Sequence, residues 1–136
     1  MDEPDYKYSG IIQKIIGCAM KVHSHFGMGF PEIVYNRALV IELKAAVLLF
    51  ESEAEREIYY QQHLIAKRRL DLIVENKILV EIKAISEMDN RDFNQLLNYL
   101  NVFKIEVGLL LNFGTASLQF ERFVYSDKSA KSIKNL

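Results

Sequence analysis

The sequence is poor in residues that cross-link or interrupt a chain. It contains one cysteine (Cys18), two prolines, six glycines and no tryptophan. A single cysteine excludes an internal disulfide and a cluster of thiolate metal ligands. The scarcity of proline and glycine forces few turns. We therefore expect long regular helices and strands, and we exclude disulfide-stapled and low-complexity classes.

Long apolar runs and an excess of either charge are also missing. The chain has 17 basic and 18 acidic residues, and no apolar run approaches the ~20 residues that cross a bilayer. Residues 1–8 are polar and acidic and do not resemble a signal peptide. These features favour a cytoplasmic protein with no membrane partner. Without a broad basic surface, nucleic-acid binding would depend on a local patch.

The length and composition fit one globular domain. Of the 136 residues, 50% are hydrophobic and 26% are charged, which is ordinary globular usage. We expect an N-terminal lead-in over residues 1–8, one domain over residues 9–125, and a polar basic tail over residues 126–136.

Hydrophobic periodicity predicts the order helix, helix, strands, helix, strand, strand. Helical spacing is found over residues 9–26, over residues 31–46 and again from residue 89. Strands are predicted in part of 51–61 and over residues 70–75, 78–85, 107–113 and 118–125, with a basic turn over 63–69. This order favours an α/β or α+β fold in which helices cover a mixed sheet.

An acidic pair faces across the predicted hairpin. Glu81 and Lys83 are two residues apart on a strand and so share a face. A turn centred on Asn76 places Asp71 opposite Glu81, with Cβ atoms roughly 5 Å apart. Facing carboxylates repel each other unless a cation lies between them, and their oxygens suit Mg²⁺ or Mn²⁺. The set predicts a metal site in which Lys83 orients a water, takes its proton or neutralises charge on a phosphate.

The same residues also have a purely structural interpretation. Glu81 and Lys83 would then form the solvated face of an edge strand, and Asp71 would begin its own strand. An isolated E-x-K is common by chance, so the facing Asp71 is what distinguishes this one.

Several segments, in order, resemble the PD-(D/E)xK nuclease superfamily and its GxxExxY branch. Asp71 followed by Glu81-x-Lys83 resembles the D…(D/E)-x-K signature, and Gly29 to Tyr35 resembles G-x-x-E-x-x-Y. Further similarities are Arg69-Leu-Asp71-Leu, Val80–Ala84, Gln95–Tyr99 and Gly108–Gly114. Together they span about residues 9–125.

The resemblance implies a restriction-endonuclease-like fold, a mixed β-sheet flanked by helices with an αβββαβ core. It implies Mg²⁺- or Mn²⁺-dependent hydrolysis of nucleic acid, with DNA as the expected substrate. The metal ligands it implies are Asp71, Glu81 and the Ile82 carbonyl. The catalytic residues it implies are Lys83, Glu32 and Gln95, and the substrate contacts are Tyr99, Arg69 and Tyr35.

Plainer interpretations accompany these roles. Glu32 could be a first-turn acid favoured by the helix dipole, Tyr35 a packed ring, and Gln95 with Tyr99 a solvated helix face. The rival hypothesis for the whole chain is a non-catalytic module that binds nucleic acid or protein. Near-neutral charge and small size favour it, and a homodimer would reconcile that charge with a DNA groove.

Overall fold

A six-stranded sheet lies at the centre of the computed structural model, which describes residues 7–125 and 133–135. Its strands are β1 (Phe50–Tyr60), β2 (His63–Val74), β3 (Ile78–Lys83), β4 (Val107–Asn112), β5 (Gln119–Val124) and β6 (Ile133–Asn135). They lie in sequence order across the sheet. Strands β3 and β4 pair in parallel, and all other neighbours are antiparallel. The predicted mixed sheet is confirmed.

Three helices cover the two faces of this sheet. They are α1 (Ser9–Phe26), α2 (Glu32–Ala45) and α3 (Asn90–Phe103). Helices α1 and α2 pack on one face, and α3 packs on the other. Helix α3 also joins the parallel strands β3 and β4, which cannot be connected by a tight turn. The order from α2 to β4 is the predicted αβββαβ core. Among the described residues, no helix is both long and apolar enough to cross a membrane.

Side-chain alternation in β3 separates the two cores. Ile78, Val80 and Ile82 contribute to the core beneath α1 and α2. Leu79 contributes to the smaller core beneath α3. Because alternate residues of a strand share a face, Glu81 lies on the α3 side of the sheet. Strand β4 is buried along its whole length, as its apolar sequence predicts.

The predicted basic turn over residues 63–69 is wrong. These residues form the first half of β2, and the turn lies earlier, at Gln61 and Gln62, both with positive φ. The ladder pairs Lys67 with Glu57 and Arg69 with Glu55. Facing opposite charges stabilise such a ladder, so the basic run is accommodated in a strand.

Parts of the predicted lead-in and tail cannot be compared with the structure. Residues 1–6, 126–132 and 136 lie outside the described residues. Within the predicted tail, residues 133–135 form β6, which pairs with β5. The division of the chain into lead-in, domain and tail stays a prediction.

Candidate active site

The β2–β3 ladder stops just before the acidic pair. It pairs Leu72 with Val80 and continues in register to the turn, which confirms the predicted register. Beyond that pair, side chains replace backbone partners. The Asp71 amide donates to Glu81 Oε2 at 2.9 Å, and the Ile82 amide donates to Asp71 Oδ2 at 2.8 Å. Each carboxylate thus reaches the opposite strand, and the two acids converge. We call this the open end of the β2–β3 pair.

The Ile82 carbonyl is directed towards the same gap. The Lys83 carbonyl accepts a hydrogen bond of 2.8 Å from the Phe113 amide and therefore faces β4. Successive carbonyls in a strand point to opposite sides. The Ile82 carbonyl therefore faces β2, the strand that carries Asp71.

Burial makes both carboxyl groups hard to ionise. Glu81 is 8% exposed. Burial first, and then the charge of Asp71, raises the pKa of Glu81 to about 8. Burial also raises the pKa of Asp71, against the lowering effect of the Ile82 hydrogen bond and of the Lys83 charge. A cation between the two carboxylates would offset both penalties.

Lys83 extends from β3 to helix α3. Its Nζ donates to Gln95 Oε1 at 3.2 Å and lies 3.7 Å from Asp92 Oδ1. Asp92 was missed by the sequence interpretation. Its Oδ2 accepts from the Asp89 amide and completes the capping box that begins α3. The D-x-x-D spacing of residues 89–92 is the signal that could have identified it. One acid therefore both starts the helix and holds the lysine.

An open groove of about 770 Å³ begins at Lys83 and follows the polar face of α3. Gln95 and Tyr99 share this face, as their spacing predicts, and Arg68 of β2 lies along the same groove. Its charged lining is balanced, with Arg68, Lys83 and Arg91 against Glu87, Asp89 and Asp92. Carboxamides from α3 also line it, namely Asn94, Gln95 and Asn98.

A second, smaller cavity of about 50 Å³ lies between α2 and the open end. Its lining comes from three elements, with Glu32, Ile33 and Asn36 from α2, Arg69 and Asp71 from β2, and Ile82 from β3. Burial raises the pKa of Glu32, the nearby Lys83 charge counteracts this, and Asp71 raises the pKa further. Glu32 is therefore within electrostatic reach of both residues.

Arg69 borders the same cavity. Its Nη1 lies 3.4 Å from Glu53 Oε1, so its charge is partly balanced by a neighbouring acid. The remaining positive charge acts on Asp71 and counteracts part of the rise in pKa that burial causes in that carboxyl group. This position suits an electrostatic role beside the acids.

The predicted substrate contact by Tyr35 is not supported. Its ring is fully buried and stacks on Phe113, with centroids 4.6 Å apart. Its hydroxyl donates to the Gly27 carbonyl at 2.6 Å and accepts from the Phe30 amide at 3.2 Å. Tyr35 is the packed ring of the plainer interpretation, and it fixes the loop that leads to Glu32.

Asn112 fixes the chain after Lys83 and was also missed by the sequence interpretation. The side chain accepts from the Ile85 amide and donates to the Ile85 carbonyl, both at 3.0 Å. The neighbouring Gly114 allows this approach, because a Cβ there would lie 2.3 Å from the Ile85 nitrogen. No local pattern signals such contacts, since they join segments 27 residues apart.

The oxygen groups at the open end suit a hydrated divalent cation. Within residues 7–125 and 133–135, no three His, Cys, Asp or Glu side chains are placed to hold a metal ion by themselves. Mg²⁺ needs only one or two carboxylates and keeps several waters. Asp71 and Glu81 supply two, and the Ile82 carbonyl and Glu32 lie beside them. The residues present therefore fit Mg²⁺ or Mn²⁺.

Comparison with known proteins identifies a family. A family model described as the PD-(D/E)XK nuclease superfamily matches residues 9–123. The crystal structure of SSO0001 superimposes with a TM-score of 0.54 and 25% sequence identity, over 72% of this chain and 52% of that one. The chain thus spans about half the length of that protein. No curated protein matches the chain. The narrower GxxExxY branch stays a prediction.

Proposed function

The chain belongs to the PD-(D/E)XK nuclease superfamily, and from this premise we propose that it hydrolyses phosphodiester bonds of DNA with Mg²⁺ or Mn²⁺. Members of this superfamily are usually nucleases and generally use divalent metals. The proposal concerns this chain's own substrate, cation and site residues.

The observation that carries the proposal is a pair of crossed hydrogen bonds beside Lys83, in which Glu81 accepts from the Asp71 amide and Asp71 accepts from the Ile82 amide. A buried carboxyl group, Glu81, and a half-buried one, Asp71, lie where the regular ladder ends and converge, an arrangement that destabilises a hairpin without a cation. Lys83 lies next to them and opens onto a groove. A purely structural strand end would be better served by apolar residues or by a continued ladder.

In this proposal Asp71, Glu81 and the Ile82 carbonyl hold the cation, with Glu32 beside them. A bound divalent cation supplies Lewis-acid chemistry towards a phosphate and lowers the pKa of water. Lys83 Nζ orients the attacking water or neutralises charge that develops on the phosphate oxygens.

The groove along α3 would take the nucleic-acid strand beyond the scissile phosphate. Gln95 keeps Lys83 in place through the hydrogen bond from Nζ. Tyr99 offers a ring on which a base can stack. Arg69 favours the ionised form of Asp71 through its positive charge. We therefore propose that Arg69 acts on the substrate only indirectly, through Asp71, and not by the direct contact that the sequence predicted.

Nuclease assays with Mn²⁺ and Mg²⁺ test the proposal directly. Plasmid and oligonucleotide DNA should be cleaved by the unmodified chain, and Lys83→Ala and Asp71→Asn should each lower the rate by at least 100-fold. Lys44→Ala, an exposed lysine at the far end of α2, is the matched control and should retain full activity. Low activity that is equal in all four proteins would indicate a contaminating nuclease and would reject the proposal.

One observation favours the rival function, a non-catalytic binding module. The groove is formally neutral, with three basic and three acidic side chains, so it attracts a polyanion weakly. Calorimetry with Mn²⁺ separates the two functions. A catalytic site should bind Mn²⁺, and Glu81→Ala should abolish that binding. A non-catalytic binding module should bind no Mn²⁺, with or without the substitution. A homodimer, which would enlarge the groove, stays a prediction.

A further inference from the structure

Asn36 presents a buried oxygen that lacks a partner. The residue is 3% exposed, and its Oδ1 is a buried atom with no hydrogen-bond partner among the described residues. A buried polar atom without a partner costs stability, and such atoms are rare in folded proteins. Asn36 also lines the 50 Å³ cavity beside Asp71. The residue that carries the orphan oxygen therefore borders a polar cavity next to the candidate site.

The other polar groups around this cavity are mostly acceptors too. Glu32 lies one helical turn before Asn36 on the same face of α2. Across the cavity are the Asp71 carboxyl group and Ile82, whose carbonyl faces β2. The basic group in the lining is Arg69, and its Nη1 is already directed at Glu53. A cavity rich in oxygen acceptors favours a cation together with its water.

The size of the cavity agrees with such an occupant. A buried water needs a cavity of about 10–15 Å³. The cavity of about 50 Å³ can therefore hold a small ion with water, or a few waters. Carboxamide and carbonyl oxygens are among the groups that hard divalent cations accept. Leucine or another apolar residue would suit the site better if nothing polar were bound there.

We propose that Asn36 supports the divalent-cation site through a water: its Oδ1 accepts a hydrogen bond from a water of the cation in the small cavity between Glu32 and Asp71. This inference rests on the proposed function, because it requires that the open end binds a cation. Asn36 is a positioning residue, since it acts on the ion's water and not on the substrate.

Mn²⁺ titration of the full chain by calorimetry tests this role without any assay of catalysis. Asn36→Ala should weaken Mn²⁺ binding about 10-fold or more, the usual effect of removing an outer group of a metal site. Asn36→Asp keeps the oxygen and adds a negative charge, so it should bind Mn²⁺ at least as tightly as the unmodified chain. Asn101→Ala, an exposed asparagine of α3, should leave the affinity unchanged.

Thermal unfolding without metal provides a second readout. Asn36→Leu removes the orphan oxygen while keeping the volume of the side chain, so it should melt at or above the temperature of the unmodified chain. Addition of Mn²⁺ should then raise its melting temperature less than it raises that of the unmodified chain.

The outcomes separate this inference from the proposed function. If Asn36→Ala binds Mn²⁺ normally while Glu81→Ala does not, the inference is wrong and the metal site stands. If the unmodified chain binds no Mn²⁺, both are wrong. Should Asn36→Ala fail to fold, weaker Mn²⁺ binding by folded Asn36→Asp would overturn the inference, and equal or tighter binding would support it.

Discussion

The two ends of the β2–β3 pair use the same two strands in opposite ways. Towards the turn, Ile73 lies opposite Leu79 and Val74 opposite Ile78, and all four are buried in a regular ladder. Beyond Leu72 and Val80, carboxylates take the place of the ladder. We call the part next to the turn the closed end. It gains stability from apolar burial, whereas the open end contains a buried acid, Glu81, and a half-buried one, Asp71.

This difference shows how a site can be held in place while remaining electrostatically unfavourable. The amides of Asp71 and Ile82 keep hydrogen-bond partners, so the strands do not fray where the ladder ends. The cost falls on the carboxyl groups, through burial and mutual repulsion. The regular geometry of the strands comes from the closed end, and the unfavourable electrostatics come from the open end.

The largest expected effect is at the open end and depends on pH. The folded-state pKa of Glu81, about 8, lies above the ordinary 4.5, so folding favours the neutral acid. The contribution of neutral Glu81 to the stability of the folded chain is complete below about pH 4.5 and is lost as the pH rises through 8. Glu81→Gln cannot ionise and should therefore be more stable than the unmodified chain at pH 8, by up to roughly 4 kcal/mol, since one pKa unit is about 1.4 kcal/mol.

Urea unfolding from pH 4.5 to 8.5 without metal measures this difference. The stability advantage of Glu81→Gln should be small at pH 4.5 and should grow with pH. Glu87→Gln, an exposed acid outside the open end, should show no such trend. A difference that stays constant across this range would mean that the two ends do not differ in charge energetics.

The closed end should respond to truncation of its apolar side chains and not to pH. Leu79 is fully buried in the core beneath α3, so Leu79→Ala should lower the free energy of unfolding by about 3 kcal/mol. Urea unfolding measures this loss. Ile65→Ala, at an exposed position of β2, should change it by less than about 0.5 kcal/mol. If folded Leu79→Ala loses Mn²⁺ affinity as well, the two ends are not independent.

Local patterns predicted much of this structure. The turn centred on Asn76 is set by residues close in sequence, and its position is enough to predict that Asp71 lies opposite Glu81. The apolar run of strand β4 and the helical spacing of apolar residues in α3 are likewise visible in the sequence. These elements could be predicted because the information that defines them lies within a short segment.

Features that depend on distant partners were not predictable. Helix α2 has apolar residues on more than one stripe, and the core selects Tyr35, fully buried, over Ile41, which is 67% exposed. The strand over residues 63–69 depends on pairing with β1. Asn36 and Asn112 matter through cavities and contacts that exist only after folding.

The smallest expected effect lies where the open end continues into the groove along α3. Asn98 lines the groove and Asn101, on the same helix, does not. On a Lys83→Ala background that prevents cleavage, Asn98→Ala should weaken binding of a labelled DNA oligonucleotide by a few-fold, the value of about one hydrogen bond. Asn101→Ala is the control and should have no effect. On the Lys83→Ala background two bases, Arg68 and Arg91, face three acids in the groove, so the affinity should fall only shallowly with salt, consistent with no more than about two phosphate contacts. Fluorescence anisotropy measures both quantities, and equal binding by the two variants would show that the groove ends before it reaches Asn98.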